Sequence, residues 1–363
     1  MKNDTKCLKT GYISGNGEPL ALPIYQSTTY TYDSTDDIGK LFDLAADGHM
    51  YSRISNPTVA YYEQKLAALE GGIGAVCTTS GQAASFLSLF NICTAGQHFI
   101  ACAKIYGGTY NLFNVTMRRM GIDCTFIDQD ASEDEIQKAF RPNTRAVFGE
   151  SLANPALSVL DIEKLARIAH KNGVPLIVDN TFPTPIFCNP IRFGADIVVH
   201  STTKYLDGHA TCVGGVVIDS GNFVWDKNRY PELTTPDESY HGLTYTESFG
   251  KAAYITKLRV QLIRDLGMYP AAFSAFLTDL GTQTLGVRME RHAKNALTVA
   301  KYLEKRPEIE RVNYPGLESD PYHELAMKYM PDGQSGVMSI VFKGGRNAAV
   351  KFMDSLKMAN NIV

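Results

Sequence analysis

The sequence predicts an α/β fold in which a mostly parallel central sheet is covered by helices on both faces, with a smaller α+β domain behind it. Short apolar runs alternate with helical ones through the first half of the chain, and such alternation folds as βα units with parallel strands. The runs are AVCTT (75–79), HFIAC (98–102), DCTFID (123–128), RAVFGE (145–150), PLIVDN (175–180) and DIVVHS (196–201). Their cores are apolar on both faces of the strand, the pattern of strands buried from both sides. The length of 363 residues leaves room for about two domains and a sizeable core.

Residues 1–50 mix Gly, Pro, Thr, Tyr and Asp without sustained periodicity, which predicts an extended arm lying on a neighbouring surface. The first clear helix follows. Asn56 caps it, Pro57 takes the first position, Val59, Tyr62, Leu66 and Leu69 share one face, and Gly71-Gly72 ends it. Between the apolar runs, DIEKLARIAHKNG places Ile162, Leu165, Ala166 and Ala169 on a stripe and Gly173 at the C-cap. After VGGVVIDSG the loop NRYPELTTPDESYHG marks a boundary. Helical patterns resume near Thr246 in SFGKAAYITKLRVQLIRDLG and VRMERHAKNALTVAKYLEKR, then come RVNYPG, PYHELAMKYM, the strand GVMSIVFKG and the helix RNAAVKFMDSLK. The resulting division is an arm (1–50), a large domain (51–245), and a connecting helix with a small domain (246–363) that ends in mid-element.

Composition excludes several classes. With 44% hydrophobic and 20% charged residues the chain is neither disordered nor a membrane protein, and a net charge of −3 offers no attraction to nucleic acid or anionic lipid. Seven scattered cysteines, odd in number and without a C-x-x-C, predict free thiols in a reducing compartment. The polar N-terminus lacks a signal h-region and no stretch is long and apolar enough to span a bilayer, which predicts a cytoplasmic protein.

Ligands bind outside the carboxyl ends of parallel strands, so polar residues that end an apolar run come first. Thr79-Ser80-Gly81-Gln82, Asp179-Asn180 and Ser201-Thr202-Thr203-Lys204 meet this criterion together. Ser80-Gly81-Gln82 offers free amides and a helix dipole to an anion, although a strand-helix turn also accounts for it. Asp179 alone reads as a turn former, and Lys204 alone as a snorkelling surface lysine. Together an anion cradle, an acid and an amine with hydroxyls form the equipment that pyridoxal phosphate requires: a Schiff-base lysine, an acid on the pyridine nitrogen, and a phosphate seat. GGIGAVC (71–77) lacks the third glycine of a dinucleotide fingerprint and supports NAD only weakly. His200 and His209 flank the lysine but read as packed or hydrogen-bonded residues, Cys212 reads as structural, and no spacing suggests a metal.

HSTTKYLDGH around Lys204, YSRISNPT (51–58), TTSGQAA (78–84), KIYGGTY (104–110) and VDNTF (178–182) resemble, in order and along nearly the whole chain, the Cys/Met-metabolism group of fold-type I pyridoxal-phosphate enzymes. KYLDGHATCVGG and GNFVW are most similar to its O-acetylhomoserine sulfhydrylase branch, with methionine γ-lyases and cystathionine enzymes as alternatives. The resemblance implies γ-replacement with Lys204 as Schiff-base lysine and proton shuttle, Asp179 as partner of the pyridine nitrogen, and Tyr106 stacked on the cofactor ring. It further implies that Gly81, Gln82, Ser201 and Thr203 hold the phosphate and that Asn154 bonds the phenolic oxygen. Tyr51 and Arg53 would reach the phosphate of a neighbouring subunit, in a homodimer with shared sites that pairs into a homotetramer. Gly108 stands where methionine γ-lyases carry a cysteine, which favours replacement over elimination. The family's carboxylate-binding arginine near the chain end has no match before Val363, so the chain reads as a fragment with an unburied apolar edge.

Overall fold

The computed structural model describes residues 1–362. Its main sheet has seven strands: Gly74–Thr78 (β1), His98–Cys102 (β2), Asp123–Ile127 (β3), Thr144–Glu150 (β4), Leu176–Asp179 (β5), Ile197–Ser201 (β6) and Gly215–Asp219 (β7), in the order β1-β7-β6-β5-β4-β2-β3. Five neighbouring strands, β3 to β6, pair in parallel, whereas β7 is antiparallel to both β6 and β1. The connection from 202 to 214 holds no helix, so β7 returns beside β6 without a crossover. Ile177, Val178, Ile197, Val198, Val216 and Val217 are fully buried, as strands covered on both faces require.

The helix Pro57–Glu70 forms as its caps dictate: the Asn56 side chain accepts from the Thr58 amide, and Gly71 adopts φ 83° where a left-handed residue ends the turn. The helix also buries three charged residues that the apolar stripe did not reveal. Each has a partner: Glu63 meets Arg259 at 2.5 Å, Lys65 meets Asp279 at 2.5 Å, and Glu70 meets His200 at 2.7 Å. Burial on this scale is tolerable because each of the three side chains is ion-paired or hydrogen-bonded.

Two sequence expectations need correction. The first fifty residues are not all extended: Asn3–Lys9 and Thr35–Phe42 are helical, and the first buries Cys7 against the chain's own helices. The stretch after Thr244 is not one helix either. It breaks at Gly250 (φ 51°), and its later turns over Leu258–Ile263 widen into a π-type coil.

A second, smaller core of Ala296, Ala300, Ile309, Val312, Tyr314 and Leu317 lies beneath the antiparallel pair Ile309–Asn313 (β8) and Ser339–Phe342 (β9). The helix Gly345–Ser355 beyond it buries no residue and leaves Val350, Phe352 and Met353 exposed. Six of the seven cysteines are buried free thiols, while Cys212 is partly exposed. No helix among the described residues is long and apolar enough to cross a membrane.

Asp219 at the end of β7 is 3% exposed, and its Oδ2 has no hydrogen-bond partner. Burial, aided by Asp196, raises its carboxyl to about 7 against the Gly221 amide that lowers it. Between the ordinary carboxylate range and pH 7 the folded state therefore holds a proton that the unfolded chain has released, and stability falls as pH rises through that window. The loss amounts to at most about 4 kcal/mol. Asp219→Asn is expected to flatten this decline and to melt above the parent at pH 8 but not at pH 4. Parallel melting curves across that range would contradict the assignment.

Candidate active site

The carboxyl ends of β1, β4, β5 and β6 open on one cavity of about 300 Å³. After β1 the chain turns into the helix Gly81–Phe90, whose Ser80 hydroxyl accepts from the Ala83 amide at 3.1 Å. The Gly81 and Gln82 amides, first in that helix, have no intrahelical acceptor and remain available to an anion. Gly81 has a steric reason to be glycine, since a Cβ there would lie 2.6 Å from Ser201 Cβ and 2.9 Å from its Cα. Gly81→Ala must push β6 and the helix apart. It is expected to weaken binding of an anion in this seat about tenfold or more, roughly 1.4 kcal/mol, as read by ligand titration; an unchanged Kd would contradict the cradle.

Asp179 ends β5 facing the same cavity. Its Oδ1 accepts from the Thr181 amide at 3.0 Å and the Thr181 hydroxyl at 2.5 Å, and that hydroxyl oxygen accepts the Ser201 amide at 2.9 Å. Oδ2 has no partner among the described residues. Burial pushes the Asp179 carboxyl up, and it outweighs the Thr181 donors and the His200 imidazole, which pull it down. Such an acid ionises readily only against a positive charge, and a protonated ring nitrogen supplies one.

Eight of the residues singled out from sequence line the cavity: Gly81, Gln82, Tyr106, Asn154, Asp179, Ser201, Thr203 and Lys204. Lys204 follows β6, and its side chain has no hydrogen-bond or ion-pair partner among the described residues. Thr203 differs from expectation in one respect, because its hydroxyl already lies 3.0 Å from the Gly214 amide and 3.2 Å from the Gly214 carbonyl. Tyr106 is half exposed at the cavity wall, and a Cβ on Gly108 would meet its ring at 2.5 Å. Tyr51 and Arg53 are not brought in: both lie on the surface, with Arg53 over the Tyr51 ring at 5.3 Å and bonded to the Arg264 carbonyl. His200 is buried on Glu70, and His209 bonds the Asp207 carbonyl at 2.7 Å, as packed residues do. Cys212 is less enclosed than expected and sits in the outer cleft with Lys204, Val213 and His292.

A model of the Cys/Met metabolism PLP-dependent enzymes matches residues 4–363. The chain belongs to that family. It is 46% identical to an O-acetyl-L-homoserine sulfhydrylase of Leptospira meyeri over 93% of this chain and 78% of that one, and 45% identical to a homocysteine synthase of Schizosaccharomyces pombe over 94% and 80%. A crystal structure named as an O-acetylhomoserine (thiol)-lyase of Campylobacter jejuni, carrying N'-pyridoxyl-lysine-5'-monophosphate, superimposes with a TM-score of 0.96 at 36% identity, covering 100% of this chain and 90% of that one.

The members of this family are enzymes whose cofactor is pyridoxal phosphate, and the cavity fits it. An amine free of partners, an unpaired carboxylate oxygen, two open helix amides and the free Ser201 hydroxyl face one space, with an aromatic ring at its wall. The lining also holds what sequence reasoning passed over. Glu150, Thr181, Thr109 and Phe182 all reach the cavity. Glu150 ends an apolar run just as Asp179 does, so the same criterion would have found it.

Proposed function

We propose that the chain catalyses γ-replacement on O-acetyl-L-homoserine, exchanging acetate for sulfide or methanethiol to give homocysteine or methionine. The observation that carries this reading is the placing of Lys204 and Asp179 across one cavity beside the Gly81 cradle, in a chain whose relatives bear sulfhydrylase and homocysteine synthase names. Bound there, pyridoxal phosphate supplies an electron sink for negative charge developing on the substrate amino acid. Lys204 would hold the cofactor through its amine and, when that amine is free, would act as a one-proton base, taking the Cα proton, handing it on to the bound cofactor and substrate, and only then taking a Cβ proton. Asp179 keeps the ring nitrogen protonated. Tyr106 would cover the ring and hold its hydroxyl proton toward the acetate that leaves Cγ with the bonding pair; the thiolate sulfur would then bond to Cγ, and Lys204 would return one proton to Cβ and then one to Cα. Gly81, Gln82, Ser201 and Thr203 seat the phosphate, Thr203 after turning its hydroxyl from Gly214, and Asn154 donates to the phenolic oxygen.

The test is a product balance. Loaded chain given O-acetylhomoserine and sulfide is expected to form homocysteine and acetate in equal amounts. Formation of a 2-oxo acid and ammonia instead would replace this reading with a γ-lyase.

Among the described residues the cavity wall carries one basic side chain, Lys204, against the carboxyls of Asp179 and Glu150. A phosphate needs more positive charge than that, and Arg53 stands exposed on the surface with Tyr51. The proposed active form is a homodimer in which Tyr51 and Arg53 of one copy complete the site of the other. Lys204→Ala and Arg53→Ala chains, each inactive alone, are expected to recover about a quarter of parental activity when mixed as hybrid dimers; no recovery would remove the shared site. Pairing of two dimers into a homotetramer and a cytoplasmic location rest on the resemblance and on the free thiols.

A further inference from the structure

Glu150 and Asp179 are register partners on adjacent parallel strands, and both face the cavity. The Glu150 side chain is 5% exposed, and its two oxygens serve two different turns. Oε1 accepts the Tyr106 amide at 2.6 Å, and Oε2 accepts the Asn154 amide at 3.2 Å. Neither amide has another acceptor among the described residues, and Tyr106 starts the helix Gly107–Asn111 without a side-chain cap.

This arrangement is costly. Burial and the charge of Asp179 both push the Glu150 carboxyl toward its protonated form, against the two amides that favour the anion. The groups facing it are Asp179 from β5, Cys102 from β2, and Tyr106 and Lys204 around the cavity. Two carboxyls side by side at the back of a cavity weaken the fold, and a purely structural position is served as well by apolar residues. Groups held against such a penalty cluster at functional sites.

We propose that Glu150 is the positioning residue of this site, a buried carboxyl that fastens the turn bearing Tyr106 to the turn bearing Asn154 and so fixes the spacing of the two groups that flank the cofactor ring. The proposal rests on the cofactor reading above. Two consequences follow from one side chain. Losing one oxygen frees the turn it holds, withdrawing both frees the two turns together, and losing the negative charge that a bound cationic group draws from Glu150 makes it harder to keep a proton on that group.

The decisive comparison uses the full chain with Glu150→Gln, which keeps the shape, and Glu150→Asp, which keeps the charge but withdraws it by one methylene. Without cofactor, amide hydrogen exchange around Tyr106 and around Asn154 is expected to rise together about tenfold in Glu150→Asp, and around one of the two in Glu150→Gln, whose single side-chain oxygen serves one turn, while β1 and β7 keep parental protection. With cofactor, the pH midpoint of the visible band is expected to fall by about one unit in Glu150→Gln and to return toward the parent in Glu150→Asp. Parental exchange in both turns, faster exchange throughout the sheet, or an unmoved midpoint would each overturn the positioning role. A parent chain lacking any band that depends on Lys204 would overturn the cofactor reading instead, and the exchange experiment would still decide whether Glu150 ties the turns.

Discussion

Lys204→Ala is expected to abolish the visible band that pyridoxal phosphate shows on the parent chain and to lower γ-replacement by about four orders of magnitude. Loss of a positioned proton carrier alone accounts for about 10²–10⁴, and loss of covalent attachment adds to it. The substitution removes no buried contact, since the Lys204 side chain is exposed and unpartnered. The melting point of the unloaded chain is therefore expected to stay within about 2 °C of the parent. A variant that keeps the band would show that another amine holds the cofactor, and one that unfolds would show that Lys204 is part of the core.

Asp179→Asn is expected to separate activity from stability in opposite directions. Asparagine still accepts from Thr181 with its Oδ1, so the geometry of the β5 end survives. It carries no charge, so under the proposed role nothing would hold the ring nitrogen protonated, and turnover is expected to drop about 10²–10³-fold, roughly 3–4 kcal/mol. Because burial raises the Asp179 carboxyl, its folded value lies above the unfolded one, and ionising it costs stability as pH rises through that interval. The unloaded variant is therefore expected to melt higher than the parent at pH 8 and no higher at pH 4. Stability traded for function in this way is characteristic of active-site residues. A variant both less active and less stable at every pH would mark Asp179 as a structural acid.

Much of this site could be read from sequence because its chemistry sits at predictable places. Unbroken apolar runs disclosed β1 to β6, and strand ends disclosed Gly81, Asp179 and Lys204, since a parallel sheet gathers its carboxyl ends on one edge. What escaped had physical reasons. β7 begins on Gly215, directly after Gly214, and runs against its neighbours, so no helix announced it. Helix Asn3–Lys9 is too short to show a period and is held by Cys7 packing within the chain. The paired charges Glu63, Lys65 and Glu70 went unremarked because their partners lie more than a hundred residues away. Glu150 went unremarked although it obeys the rule that found Asp179, and its two bonds are to backbone amides that no sequence pattern displays. The roles of Tyr51 and Arg53 come from the resemblance, since the chain's own fold leaves them outside its cavity.

The central claim is that one lysine at the end of β6 holds the cofactor in the cavity shared with Asp179. Reducing the pyridoxal-phosphate-loaded chain with borohydride and mapping its peptides by mass tests it most directly. A single pyridoxyl adduct, on Lys204 alone, is expected. An adduct on any other lysine, or no stable adduct at all, would contradict it.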